Sequence, residues 1–229
     1  MKRAIILAGG LGTRLKPFST VIPKPLVPID DKPILEIVIN QLRKHGFNHF
    51  TLAVNHKADL IKAYFGDGKK YDVKIDYTYE KQKLGTMGPL NLIKDLPDDF
   101  LVMNGDVITD LDFTDFYNFH LKNKGIFSIC STARESFIDY GVLEVRDSAL
   151  TKMIEKPIFK HTVSMGIYCT NKKILQYIPE EKLFGFDDLM HALIRQKINP
   201  YVFNHKGKWL DIGRPEDYEK ACNLLGTNN

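Results

Sequence analysis

Gly9-Gly10-Leu11-Gly12-Thr13-Arg14 is the densest chemical feature of this 229-residue chain, and it follows directly on the apolar run that ends at Ala8. A glycine-rich turn after a buried strand lets backbone N–H groups come close to a phosphate. The same turn can also be purely structural. Two familiar phosphate loops do not match it. The dinucleotide fingerprint needs glycine at its sixth place, where Gly10-Leu11-Gly12-Thr13-Arg14-Leu15 has leucine; GxxxxGK[ST] occurs nowhere, since Gly68-Lys69-Lys70 lacks the hydroxyl residue. Hydride transfer and P-loop kinase chemistry therefore lose support. The seven histidines form no metal pattern, because Gly46 interrupts His45 and His49 at a predicted helix end. No serine or cysteine stands in a nucleophile elbow. Cys130 and Cys169 lie in apolar, strand-like segments and read as core. Phe116, Tyr117, Phe119 and His120 read as core or a subunit contact rather than a base-stacking platform.

The elements that must position such a loop follow from periodicity. Strands are predicted at Arg3 to Ala8, Phe50 to Val54, Val73 to Tyr79, Leu101 to Met103, Ile126 to Ser131, Val142 to Val145, Thr151 to Ile154, Val163 to Cys169 and Tyr201 to Phe203. Helices are predicted from Pro33 to a stop at Gly46, then at Ala58 to Phe65, Phe113 to Leu121, Lys172 to Tyr177, Asp188 to Gln196 and Pro215 to Leu225. Lys16 to Pro28 holds Pro17, Pro23, Pro25 and Pro28 and is expected to be irregular and stiff. Strand and helix alternate in the first half, which argues for a largely parallel sheet with right-handed crossovers. Consecutive strands in the middle argue for a mixed sheet with a β-rich subregion. No composition shift or repeat marks a linker, so one α/β domain is expected over 1–229.

Further motifs give the loop a context. Pro23-Lys24-Pro25-Leu26 follows it, and then come Glu80 with Leu84-Gly85-Thr86-Met87-Gly88-Pro89-Leu90, Asn104-Gly105-Asp106, Tyr140-Gly141-Val142, Glu155-Lys156-Pro157, Met165-Gly166-Ile167-Tyr168 and Trp209-Leu210-Asp211-Ile212-Gly213. In this order they resemble the signature of the sugar-nucleotidylyltransferases, over about 200 residues. Seven ordered motifs are far more specific than one. Together with Asp31-Lys32-Pro33-Ile34-Leu35, the Glu80 segment is most similar to mannose-1-phosphate and heptose-1-phosphate guanylyltransferases. The resemblance implies a Rossmann-like, glycosyltransferase-A-like α/β/α fold with a mixed, mostly parallel central sheet. It also implies a homodimer, and it leads us to expect that this chain lacks the C-terminal β-helix of longer members.

The implied reaction is attack by a phosphate oxygen of a sugar 1-phosphate on the α-phosphorus of a nucleoside triphosphate, with pyrophosphate leaving. The nucleophile is already anionic, so positioning and electrostatics carry the catalysis. By resemblance, Asp106 and Asp211 hold Mg²⁺, which typically takes one or two carboxylates; Arg14 contacts the leaving pyrophosphate and Lys24 the reacting phosphates. Arg14, Lys24 and Asp106 are thus the expected catalytic residues. Leu7, Ala8, Gly9, Gly10, Gly12, Thr13, Arg14, Lys24, Glu80, Gly85, Thr86, Asn104 and Gly105 are the expected nucleotide contacts. Gly141, Glu155, Lys156, Ser164 and Gly166 are the expected sugar-phosphate contacts. Ser164 and Met165 stand where the family often has Asn and Ala. A carboxylate at Glu80 accepts but does not donate hydrogen bonds, which suits the adjacent N1–H and N2–H₂ of guanine and points to GTP.

Composition narrows the classes further. The net charge of +4, from 32 Lys plus Arg against 28 Asp plus Glu, does not call for nucleic acid. No apolar run near the start is long enough for a signal core or membrane span. Three widely spaced cysteines without CxxC fit a reducing cytoplasm. Three alternatives stay open: the same reaction with UTP, CTP or dTTP and a glucose-1-phosphate-like sugar; a non-catalytic regulatory homologue, opposed by the presence of Arg14, Lys24, Asp106, Lys156 and Asp211; and a non-sugar cytidylyltransferase, opposed by the later motifs.

Overall fold

Residues 2–225 are described by the structure, a computed structural model. The first half runs β1 (Lys2–Leu7), α1 (Phe18–Val21), β2 (Pro28–Ile29), β3 (Lys32–Pro33), α2 (Ile34–Lys44), β4 (Phe47–Val54), α3 (Ala58–Phe65), β5 (Lys74–Tyr79), β6 (Asp99–Asn104), β7 (Val107–Thr109) and α4 (Phe113–Asn123). The second half runs β8 (Phe127–Phe137), β9 (Val142–Arg146), β10 (Ala149–Ile154), β11 (Ile158–Asn171), α5 (Phe186–Arg195), β12 (Tyr201–Asn204), β13 (Trp209–Asp211) and α6 (Pro215–Leu225).

Seven strands form the central sheet in the order β12-β8-β11-β6-β1-β4-β5. Strand β11 runs antiparallel to β6 and β8, and the other neighbouring pairs are parallel. The sheet is therefore mixed and mostly parallel, as the alternation of elements implied. Strands β1 and β6 carry continuous apolar runs, Ala4 to Leu7 and Phe100 to Met103, because both faces of the sheet are covered there. Ala4 and Ile6 pack on one side with Leu101 and Met103, under α2, α3 and α4. Ile5 packs on the other with Phe100 and Val102, under α5. Helix α2 shows how the sequence commits to this: Leu35, Val38, Ile39 and Leu42 are fully buried at helical spacing, and Gly46 just beyond its end has φ +80°.

Four local expectations need correcting. The proline-rich Lys16 to Pro28 segment is not irregular throughout. It holds α1 and a 3-10 turn at Lys24–Leu26, since proline suits the first positions of a helical turn. Lys172–Tyr177 is a 3-10 rather than an α-helix. Strand β7 was not predicted, while the apolar run ending at Asp211 does form a strand, β13; at three residues each they are too short to show a period. Strands β8 and β11 run well beyond their predicted ends and pair from Phe137↔Ile158 to Thr132↔Val163 as an arm that leaves the sheet, with the β9–β10 hairpin between them. Their outer residues are exposed and mixed in polarity, so no buried face writes a pattern there. This arm is the β-rich subregion. Among the described residues no helix is long and apolar enough to cross a membrane.

Candidate functional site

The chain passes from β1 to β4 and β5 on one side, and β6 then returns to the other side of β1. Open α/β sheets bind ligands at such a reversal, outside the carboxyl ends of the strands. Leu7, the last residue of β1, lies opposite Asn104 of β6 and Ala53 of β4. Backbone bonds from Gly105 N to Leu7 O (3.0 Å) and from Ala8 N to Ala53 O (2.8 Å) lock the three tips together.

The glycine loop leaves β1 at this point. The Ser19 hydroxyl donates to Gly12 O at 2.6 Å and ties the loop to α1. A Cβ on Gly9 would sit 2.7 Å from Glu80 Oε1, so a larger residue there would have to displace this carboxylate. Glu80 itself is fixed from both sides: its N–H donates to Val54 O (3.0 Å), and its Oε2 accepts from Leu84 N (3.1 Å). Burial raises its carboxyl above the usual glutamate range, and the Leu84 hydrogen bond partly opposes this.

Asp106 and Asp211 are 105 positions apart in sequence, and the β7–β13 ladder brings them together. Asp106 occupies the turn before β7. Asp211 ends β13 opposite Val107, and Ile212 N donates to Asp106 O at 3.0 Å. Burial raises the Asp211 carboxyl above the ordinary range, and the neighbouring Asp106 charge adds to this; Lys24 and Arg14 oppose it. Oδ2 of Asp106 is ion-paired with Lys24 Nζ, while its Oδ1 is buried without a protein hydrogen-bond partner. Lys24 is buried to 9% exposure between two prolines.

Two adjoining cavities meet here. A cavity of about 530 Å³ is lined by Gly9 to Arg14, Lys24, Asn55, Lys81 to Lys83, Asp106 and Gly213. Another of about 300 Å³ is lined by Leu7, Gly9, Gly10, Asn55, Glu80, Lys83, Gly85, Thr86, Asn104 and Asp106. Among the expected nucleotide residues, only Ala8 and Gly105 line neither, and both lie at the locked strand tips. The expected sugar-phosphate residues divide. Gly166 packs on Asn104, and Ser164 Oγ accepts from Gly166 N and donates to the Tyr168 hydroxyl, each at 3.2 Å. Gly141, Glu155 and Lys156 lie on the arm, and none of the five lines either cavity. There Glu155 packs beside Gly141, and Lys156 Nζ is 2.9 Å from Asp139 Oδ1. Asn55, Lys81, Gln82 and Lys83 were missed from sequence. Asn55 was accessible to it as the first polar residue after the predicted Phe50 to Val54 strand; the other three carried no motif.

The residues set aside behave structurally. Cys130 and Cys169 are buried, and burial pushes the Cys130 thiol up to about 12. Trp209 donates from Nε1 to Met165 O at 3.0 Å, bracing β13.

A glycine loop, paired carboxylates and a buried lysine at the switch point of a mixed sheet define a Rossmann-like α/β protein built to hold a polyanion. Residues 3–228 match the family described as "Nucleotidyl transferase", and the chain belongs to that family. It is 35% identical over 221 residues to the D-glycero-alpha-D-manno-heptose 1-phosphate guanylyltransferase of Campylobacter jejuni, covering 94% of this chain and 96% of that one. It is 33% identical over 240 residues to the UTP–glucose-1-phosphate uridylyltransferase of Synechocystis, covering 96% of this chain but only 62% of that relative's length. The crystal structure of HddC from Yersinia pseudotuberculosis superposes with a TM-score of 0.78 at 33% identity, covering 98% of this chain and 100% of that one. HddC has also been solved complexed with GMP-PN, and that structure matches with a TM-score of 0.73 at 30% identity over the same shares.

Proposed function

We propose that this chain transfers a nucleotidyl group from GTP to a sugar 1-phosphate of the mannose or heptose type, releasing pyrophosphate. The observation that carries this reading is the convergence of the glycine loop, Arg14, Lys24 and Asp106 on one cavity, with Asp211 set beside Asp106 by the β7–β13 ladder and Glu80 lining the adjoining cavity. The names of the heptose-1-phosphate guanylyltransferase relative and of the HddC complex support the choice of base. The sugar 1-phosphate oxygen forms a bond to the α-phosphorus as the bond to the pyrophosphate oxygen breaks, and no proton need be removed from the nucleophile. The loop's backbone N–H groups and Arg14 orient the phosphate chain; Lys24, pre-aimed by Asp106, meets charge developing on the reacting phosphates. Glu80 takes the two guanine donors.

The carboxylates fit a hard divalent cation such as Mg²⁺. Asp106 Oδ1 is a buried acceptor without a protein donor, and Asp211 stands beside it. Among the described residues no group of three or more His, Cys, Asp or Glu could hold a metal, which accords with an ion that completes its shell with phosphate oxygens and water. When bound, such an ion neutralises phosphate charge and polarises the reacting phosphoryl group. Ser164 and Gly166 beside Asn104, with Gly141, Glu155 and Lys156 on the arm, hold the sugar 1-phosphate in this reading. The Lys156–Asp139 pair is solvent-exposed, so Lys156 can exchange it for a phosphate at little cost. We also expect a homodimer.

A panel of GTP, UTP, CTP, dTTP and ATP against mannose, glucose and heptose 1-phosphates, read by pyrophosphate release, tests the proposal. GTP is expected to give the highest kcat/KM. UTP as the best donor would establish the uridylyl alternative, and GTP as the poorest would remove the role given to Glu80.

A further inference from the structure

We infer that Lys81 and Lys83 form a second cationic wall for the phosphate chain, which no motif of the family signature contains. The inference rests on the nucleotidyl-transfer reading above and adds two residues to it. Segment 80–88 is pinned at several points. Glu80 is bonded to Val54 and Leu84, as described. Leu84 O accepts from Phe184 N (2.9 Å), and Met87 N and Gly88 N both donate to Phe184 O (3.1 Å each). Gly85 has φ +81°, and a Cβ there would come within 2.6 Å of Phe184 O, so the backbone has no slack at this end. Between these anchors Gln82 Nε2 donates to Glu181 O at 2.8 Å. The middle residue of Lys81-Gln82-Lys83 is thus tethered toward the 181–184 segment. Its neighbours flank a fixed point instead of sweeping freely through solvent.

Both lysines line the 530 Å³ cavity with Gly9 to Arg14, Lys24 and Asp106, and Lys83 also lines the Glu80 cavity. Neither is ion-paired within 4.0 Å among the described residues, and the same holds for Arg14. Lys24, by contrast, is engaged by Asp106. The cavity therefore carries three cations outside any ion pair, two of them on a tethered loop that follows β5; Arg14 also feels the Asp211 carboxylate. Cations gathered in this way match a ligand with several adjacent negative charges. Because it lines both cavities, Lys83 stands at their seam, where a nucleotide would pass from base to phosphates. Lys81 lines only the larger cavity. The ligand class assigned to the pair is an inorganic or nucleoside polyphosphate, with the leaving pyrophosphate as the shared part.

The test is equilibrium binding of GTP, UTP and inorganic pyrophosphate, each with Mg²⁺, to wild type, Lys81→Gln, Lys83→Gln, the double Gln variant and the double Arg variant. Lys69→Gln serves as a control for net charge, since Lys69 is paired with Asp67 elsewhere on the surface. Each single Gln variant is expected to raise the Kd for pyrophosphate about fivefold, the effect of one exposed charge pair. The double variant should multiply the two effects, Arg should restore most of the affinity, and Lys69→Gln should leave it unchanged. In turnover, the KM for the triphosphate should rise while the KM for the sugar 1-phosphate stays put. If wild type binds pyrophosphate and the double Gln variant binds it equally well, the wall is refuted and the nucleotidyl-transfer reading survives. If Lys69→Gln weakens binding as much as either variant, a general field effect replaces the local one. If wild type binds none of the three ligands, both the wall and the reading it rests on fall.

Discussion

Oδ2 of Asp106 holds Lys24, while Oδ1 is buried and accepts from no protein donor. One side chain thus aims a cation and keeps a hard oxygen in reserve. Asp106→Asn preserves the shape and removes the charge that both tasks need. Turnover is expected to fall on the order of 10²-fold or more, the scale for loss of one preorganised charge-stabilising group. Far-UV circular dichroism should be unchanged, because the residue lies in a turn and not in the packed core. Near-normal pyrophosphate release by this variant would remove Asp106 from the reaction. At this scale much was legible in advance. The glycine loop, Lys24, Glu80, Asp106 and Asp211 all stand in motifs quoted from the sequence, and the fold gathers them at the carboxyl ends of the central strands. Lys81 and Lys83 were illegible because a surface lysine looks alike in sequence whether it faces bulk water or a cavity. Only the fold, which puts both in the cavity wall, tells the two apart.

Elements decide what the residues can reach. The β7–β13 ladder is only three residue pairs long, yet it sets Asp211 beside Asp106. Such short strands leave no periodic trace, so sequence could mark both carboxylates and say only that the fold must join them. The doubly covered strands β1 and β6 were legible because Ala4 to Leu7 and Phe100 to Met103 are unbroken apolar runs; β4 was legible only from Phe50, because Asn48 and His49 interrupt its first residues. The far edge of the same sheet is held by helix α4 through His120, which is 1% exposed. His120 Nδ1 pairs with Ser128 Oγ of β8 at 2.8 Å, and Nε2 with Asp99 Oδ1 of β6 at 3.3 Å; Asn171 of β11 donates to the same Asp99 oxygen. Burial lowers the His120 pKa, with the Asp99 carboxylate opposing. The folded state therefore favours neutral imidazole. The stabilisation is complete above the unfolded histidine value of about 6.5 and is lost as pH falls below it, because only the unfolded chain then takes up the proton. The unfolding free energy of wild type, read from urea titrations, is expected to fall between pH 7.5 and 5.5, by at most about 1.4 kcal/mol per pH unit for one proton. His120→Gln should be less stable at pH 7.5 and show a shallower fall. Parallel curves for the two proteins would place the pH dependence elsewhere.

Taken whole, the molecule joins a sheet buried on both faces to an arm that is buried on neither. Every residue of β10 but Ile154 is exposed, and Leu143, Val145, Leu150 and Met153 share the open β9–β10 ribbon. A two-stranded ribbon is marginal by itself, so its stability must be supplied through the β8–β11 ladder below it. The proposed sugar-phosphate residues straddle this boundary: Ser164 and Gly166 sit where β11 enters the sheet, and Gly141, Glu155 and Lys156 sit out on the arm. A ligand held from both sides must couple the arm to the sheet. Amide hydrogen exchange reads this directly. Amides of 142–154 are expected to exchange at least about 10-fold faster than those of β1, β4 and β6 in the free protein. Mannose 1-phosphate added with a non-hydrolysable GTP analogue should slow the arm and leave the central strands unchanged. In Lys156→Ala the analogue alone should bind as in wild type, while the sugar phosphate no longer slows the arm. An arm already as protected as the sheet, or one indifferent to the sugar phosphate in wild type, would move sugar recognition off the arm and onto the Ser164–Gly166 edge alone.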